Sequence, residues 1–144
     1  MKKNMKTVLV IDSNNLTREA LVALVSSIFP EATVIAAPDG SKGLHLAYNQ
    51  RPDLILLEGE LTGLDSFRTA KVLRHLPETR QIPLIALTRE DIPGSDQQSA
   101  CLKATCHASL IKPISTDSLI HTITALSNGE GVISCSGPHA VENF

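Results

Sequence analysis

Tryptophan is absent from this 144-residue chain, and one tyrosine and three phenylalanines complete its aromatic content. Without such planes there is no stacking platform for bases or sugars. Neither sign of charge is in excess. The 13 Lys and Arg are interspersed with 15 Asp and Glu, which leaves no basic footprint for nucleic acid. Long apolar runs are lacking too. Only Val8–Ile11 follows the basic Met1–Lys6 segment, too short for a signal-peptide core, and nothing approaches a membrane span. A cytoplasmic location is expected. The three cysteines, Cys101, Cys106 and Cys135, cannot all pair and match no zinc spacing. Cys101 and Cys106 would not share a helix face, so reduced thiols are the simplest reading. His45, His75, His107, His121 and His139 form no ligand pair at helical spacing and read as surface or core histidines.

What is present is organised around PDLILLEGELTGLDSF, Pro52 to Phe67. Pro52 punctuates a helical pattern, and Leu54, Ile55, Leu56 and Leu57 follow without alternation, as suits a central parallel strand covered on both faces. The run stops at Glu58-Gly59-Glu60. In open α/β sheets ligand chemistry gathers at the carboxyl ends of strands, which makes Glu58 a candidate functional acid.

Before that stretch, Thr7–Ile11 is a β-branched strand stopped by Asp12-Ser13-Asn14. Asn14 or Asn15 caps a helix through Phe29, with Leu16, Ala20, Ala23 and Leu24 predicted as its apolar stripe. Ala32–Ala36 reads as a second strand, and Asp39-Gly40-Ser41 opens a helix to about Asn49. After it, Leu64–Leu76 is predicted helical, with Phe67, Val72 and Leu76 apolar and Arg68, Lys71 and Arg74 outside; Pro77 closes it. Ile82–Leu87 is a fourth strand ending at Thr88. Ile92-Pro93-Gly94-Ser95 is a loop, and Asp96–Lys103 a polar helix. Ala108–Ile111 is a fifth strand running into Lys112-Pro113. Ser115 or Thr116 caps a last helix to about Leu126, with Leu119, Ile120 and Ile123 inward.

Five strands alternating with five helices predict an α/β fold, a doubly wound five-stranded parallel sheet with helices on both faces. Residues 1–6 are expected to form an extension, residues 7–126 the domain, and residues 127–144 a flexible tail poor in periodicity. A partner domain beyond the tail is the alternative. In such a sheet Asp12-Ser13, Glu58, Thr88 and Lys112 converge on one crevice. Their carboxylates, hydroxyl and ammonium are the groups that hold a divalent cation and a phosphoryl group. No glycine lies between Asp12 and Thr17, which counts against a flavodoxin-like nucleotide or flavin site with its Gly-rich phosphate loop.

Through VLVIDSN, PDLILLEGELTGLDSF, IPLIALT and LIKPIS, the chain from roughly Thr7 to Leu126 resembles the receiver domain of two-component response regulators. The resemblance implies a flavodoxin-like (βα)5 fold. It also implies a phosphoacceptor Asp after the third strand, two acids after the first strand that help bind magnesium, a responding Thr or Ser and Lys, and a switch aromatic in the fifth strand. Thr88 and Lys112 match that pattern, and Asp12 matches the first acid. Ser13 stands at the second acid, Glu58 at the phosphoacceptor and Ser109 at the aromatic. Arg89 follows Thr88 at the pocket entrance where a small residue is usual, and Thr62 and Ser66 replace the usual Pro and Gly. Asp12, Ser13 and Glu60 thus form a degenerate acidic pocket.

The departures fall on the phosphorylation chemistry. Glu places its carboxylate about one bond length beyond Asp, and a shift of about 1 Å costs on the order of a hundredfold in a geometry-dependent reaction. A hydroxyl at Ser13 is a poor ligand for a hard cation. The expectation is an atypical receiver, a pseudo-receiver, with no catalytic residue and no cofactor beyond weak magnesium binding through Asp12 and Glu58. Glu58 is expected to pair with Lys112, with Thr88 or Arg89 nearby. Function then lies in protein binding, through roughly Gly94 to Leu126, to a histidine kinase, an output protein or a second copy. No helix-turn-helix, kinase or cyclase segment is read after Leu126, so output is expected to come from a separate protein or a further domain. The alternative is a receiver that still accepts a phosphoryl group with magnesium in a phosphorelay.

Overall fold

A computed structural model describes residues 5–61, 66–89, 96–127 and 133–134. Thr62, the loop from Ile92 to Ser95, Cys135 and His139 lie outside the described residues, as does Gly94 at the start of the expected partner face. The elements are β1 (Thr7–Ile11), α1 (Asn15–Ile28), β2 (Thr33–Ala37), α2 (Gly40–Gln50), β3 (Leu54–Glu58), α3 (Ser66–His75), β4 (Leu84–Thr88), α4 (Asp96–Thr105), β5 (Ala108–Ile111), α5 (Thr116–Ser127) and β6 (Ile133–Ser134). All pairings are parallel, in the order β2-β1-β3-β4-β5-β6. Among the described residues the sheet holds the five predicted parallel strands and, beside β5, a sixth of two residues. The sixth, Ile133–Ser134, lies in the segment expected to be a flexible tail; two residues carry no periodicity from which a strand is read.

Both faces of the sheet are covered. Val8, Val10, Leu54, Leu56, Ile85, Leu87, Ala108 and Leu110 pack on one side with Leu21 and Val25 of α1 and Leu119 and Ile123 of α5. Leu9, Ile11, Ile55, Leu57, Leu84 and Ala86 pack on the other with Ala47, Ala70, Leu73 and Leu102. Every residue of β3 and β4 is buried, as the unbroken apolar runs require. β4 begins at Leu84 and not at Ile82, because Pro83 has no N–H to give to a ladder.

The helix ends follow the capping chemistry. The Asn14 side chain accepts from the N–H groups of Leu16 and Thr17, at 2.9 and 3.1 Å, and Asp39 accepts from Lys42 N–H at 2.8 Å. Ser115 Oγ accepts from Ser118 N–H at 3.1 Å. The apolar stripes were less well placed. In α1 the buried residues are Leu21 and Val25, while Leu16, at 77% exposure, lies in the first turn beyond the sheet. In α3 Ser66, Thr69, Ala70 and Leu73 are buried and Val72 is exposed. Ile120 of α5 is 41% exposed; Ser118 and Thr122 take inward places beside Leu119 and Ile123. Thr122 Oγ1 donates to Ser118 O at 2.9 Å, which lets a hydroxyl occupy a core-facing position. Helix α2 crosses β1 at Gly43, where a Cβ would lie 2.4 Å from Ile11 Cδ1.

Below the sheet, His107 joins three elements. Its Nδ1 accepts from Leu84 N–H at 3.0 Å, and Arg74 Nη1 stands 2.7 Å from its Nε2. Burial, and then the Arg74 charge, lower its pKa to about 4. The ordinary value is near 6.5, so the unfolded chain binds this proton first as pH falls. Stability from the neutral ring is complete above about pH 6.5 and is lost as pH falls towards about 4. For a half-buried ring screened by solvent the loss is on the order of 1–2 kcal/mol. Urea unfolding at pH 7 and pH 4.5 should show this loss in the wild type and a smaller one in His107→Gln. Cys106 is buried, and burial pushes its thiol up to about 12, so it stays protonated and inert.

Candidate functional site

Because the strands are parallel, their carboxyl ends share one margin of the sheet. Asp12 follows β1, Glu58 ends β3, Thr88 ends β4 and Lys112 follows β5. Above them is an open cleft of about 930 Å³, whose polar lining includes Asp12, Ser13, Asn14, Thr17, Glu58, Glu60, Arg89 and Lys112 and whose apolar wall comes from α1 and from Ile111, Pro113 and Ile114. The predicted residues thus meet, except that the Thr88 hydroxyl turns to the sheet, 3.5 Å from Leu110 O. Ser109, 1% exposed, lies within β5 opposite Ala86.

Glu58 is 6% exposed. Lys112 Nζ donates to its Oε2 in an ion pair. Its Oε1 is enclosed and meets no hydrogen-bond donor among the described residues. Burial raises the Glu58 pKa above the ordinary carboxyl value; Lys112 opposes the rise, and the neighbouring charges of Asp12 and Glu60 add to it. The loop leaving β3 is pinned by Ser66, whose Oγ donates to Glu58 O at 2.6 Å and accepts from Leu61 N–H at 3.0 Å. Gly59 is held by a 2.7 Å bond from its N–H to Leu87 O, and a Cβ there would lie 3.0 Å from that oxygen. A side chain at this point would press on the end of β4, which would have to give by a few tenths of an ångström.

Asp12 is fully buried and already engaged. Its Oδ1 accepts from Asn14 N–H at 2.9 Å and its Oδ2 from Thr17 Oγ1 at 2.6 Å, while Arg18 Nη1 donates to its carbonyl at 2.8 Å. Asn14, Thr17 and Arg18 were not foreseen as members of the site. Their signal was the hydrogen-bonding residue types in the first turn after Asp12, which read there only as a helix cap. No group of three or more His, Cys, Asp or Glu among the described residues is placed to hold a metal ion, and no described helix is long and apolar enough to cross a membrane.

Residues 8–124 match the response regulator receiver domain, and the chain belongs to that family. It is 31% identical over 118 residues to the polar-differentiation response regulator DivK of Brucella anthropi, covering 82% of this chain and 93% of that one. Among solved structures it resembles the receiver domain of the sensor histidine kinase PA1611 from Pseudomonas aeruginosa PAO1, which carries a magnesium ion coordinated in its active-site cleft. The TM-score is 0.75 at 25% identity, covering 88% of this chain and 99% of that one. The chemotaxis protein CheY4 of Vibrio cholerae matches at a TM-score of 0.69 and 25% identity, over 83% and 97% of the two chains.

Proposed function

We propose that this chain is a pseudo-receiver, a signalling module that operates without phosphorylation and binds its partner as a preset surface. The observation that carries this is the buried Glu58–Lys112 ion pair at the end of β3. By resemblance Glu58 stands at the family's phosphoacceptor position and Lys112 at its phosphate-responding one. The pair joins them directly and supplies part of a phosphoryl group's negative charge, though not its oxygens.

The donor set is a poor fit for the family's magnesium. Ser13 offers a hydroxyl where a carboxylate is usual, both Asp12 oxygens accept bonds from α1, and one Glu58 oxygen is bound to Lys112. A hard cation that prefers several carboxylate oxygens binds such a set weakly. With Ser109 in place of the switch aromatic, β5 has no ring to reorient. We therefore place function in binding, to a kinase or output protein, through the described part of the α4–β5–α5 face, in the cytoplasm and without enzymatic activity.

The second reading is a phosphorylatable receiver with magnesium, favoured by Asp12, Thr88 and Lys112 at their family positions. Acetyl phosphate with magnesium, followed by intact-mass spectrometry, separates the two. The wild type is expected to gain no phosphoryl group; a stoichiometric gain would establish the second reading.

A further inference from the structure

Asp12 meets the cleft with its carboxylate already bound to its own chain. It is 0% exposed, and Thr17 Oγ1 donates to its Oδ2 at 2.6 Å, the length of a charge-assisted hydroxyl–carboxylate bond. Resting on the pseudo-receiver reading, we propose that Thr17 closes the cleft to divalent cations, because it holds the Asp12 oxygen that an incoming ion would need. Exclusion of magnesium is then set in α1 as well as at Ser13.

Thr17 has one hydroxyl proton and two acceptors in reach, Asp12 Oδ2 at 2.6 Å and Asn14 O at 3.3 Å. The carboxylate is both nearer and charged, so it takes the proton. Asp12 Oδ1 is held in its turn by Asn14 N–H at 2.9 Å. That donor belongs to the backbone, and any residue but proline would supply it; the Thr17 hydroxyl is a choice of side chain. Magnesium demands near-octahedral oxygen ligands at about 2.0–2.1 Å and sheds its water reluctantly. A buried, capped oxygen must first be uncovered, and the hydroxyl is the group that can turn away, towards Asn14 O. Arg18 Nη1, on the Asp12 carbonyl at 2.8 Å, and Lys112, on Glu58, add positive charge beside both carboxylates. They weaken the pull on a dication that has to break the Thr17 bond.

The test titrates Mg²⁺ by calorimetry, and Mn²⁺ by the broadening of nearby amide signals in NMR, into the full chain. Thr17→Val keeps the shape of the side chain and removes the donor, whereas Thr17→Ser keeps the donor. Thr17→Val is expected to bind both ions at least about tenfold more tightly than the wild type, with broadening centred on Asp12 and Gly59. Thr17→Ser should stay within about twofold of the wild type, and adding Asp12→Asn to Thr17→Val should abolish the gain. An affinity of Thr17→Val within about twofold of the wild type, an equal gain in Thr17→Ser, or a gain that survives Asp12→Asn would each overturn the proposal. Should Thr17→Val lose its amide dispersion, Thr17→Ala, judged by the same criteria, decides. Phosphorylation of the wild type by acetyl phosphate with magnesium would end the pseudo-receiver reading and this inference with it; an unchanged ion affinity in Thr17→Val would end only the role of Thr17.

Discussion

Replacing Lys112 by methionine is expected to destabilise the protein by about 2–3 kcal/mol at pH 8, whereas Glu58→Gln should cost less than about 1 kcal/mol. The asymmetry follows from burial. Glu58 is 6% exposed and its Oε1 already lacks a donor among the described residues; without Lys112 its charge has no compensation. Lys112, with a side chain 21% exposed on a flexible stem, reaches water when Glu58 is neutralised. The carboxyl escapes its penalty by taking a proton, which sets the pH dependence. The folded pKa of Glu58 is raised, so the folded state binds this proton more tightly than the unfolded one. Its favourable contribution is present at acid pH and is lost as pH rises through the folded value. In Lys112→Met that loss is larger and extends to higher pH, so the gap from wild type should shrink on acidification. Urea unfolding of the two variants at pH 8 and pH 5 checks both size and sign.

The Ser13→Asp, Glu58→Asp double variant is expected to gain a phosphoryl group from acetyl phosphate and magnesium at least about a hundredfold faster than the wild type. Each change repairs one defect. Shortening Glu58 by one methylene withdraws its carboxylate by about a bond length towards β3, and in-line attack depends on placement within about 1 Å. An acid at position 13 supplies the carboxylate that a hard cation prefers. Asp12 stands at the end of β1, where a cation held by two further carboxylates competes for the oxygen that now accepts from Thr17, and Lys112 stands where it now meets Glu58. Neither single change should restore the rate, because the cation and the nucleophile are needed together. Intact-mass time courses of the four proteins would show the dependence.

Much of this architecture was readable from local patterns. β1 and β5 fall where their apolar runs fall, and Leu54–Leu57 is the buried centre that an unbroken run implies. The strand-end residues follow from parallel topology, which brings Asp12, Glu58 and Lys112 to one cleft. What was not readable depends on orientation and on distant partners. α1 carries apolar residues around much of its circumference, so its stripe could not be assigned, and the sheet selects Leu21 and Val25. The engagement of Asp12 by Thr17 and Arg18 arises only once the first turn of α1 folds back over the end of β1. The hydroxyl of Thr88 points to Leu110 and not to Glu58, a rotamer choice invisible in sequence. β6 depends on the exposed edge of β5, a feature of the assembled sheet.

The central claim, that Lys112 holds a buried Glu58 in place of phosphate, is tested most directly by titrating the Glu58 side-chain carboxyl carbon by NMR in the wild type and in Lys112→Met. The expected result is a midpoint above the ordinary carboxyl range in the wild type, raised further when the lysine is removed. An ordinary midpoint that does not move in Lys112→Met would mean that Glu58 is solvated and unpaired, and would contradict the account.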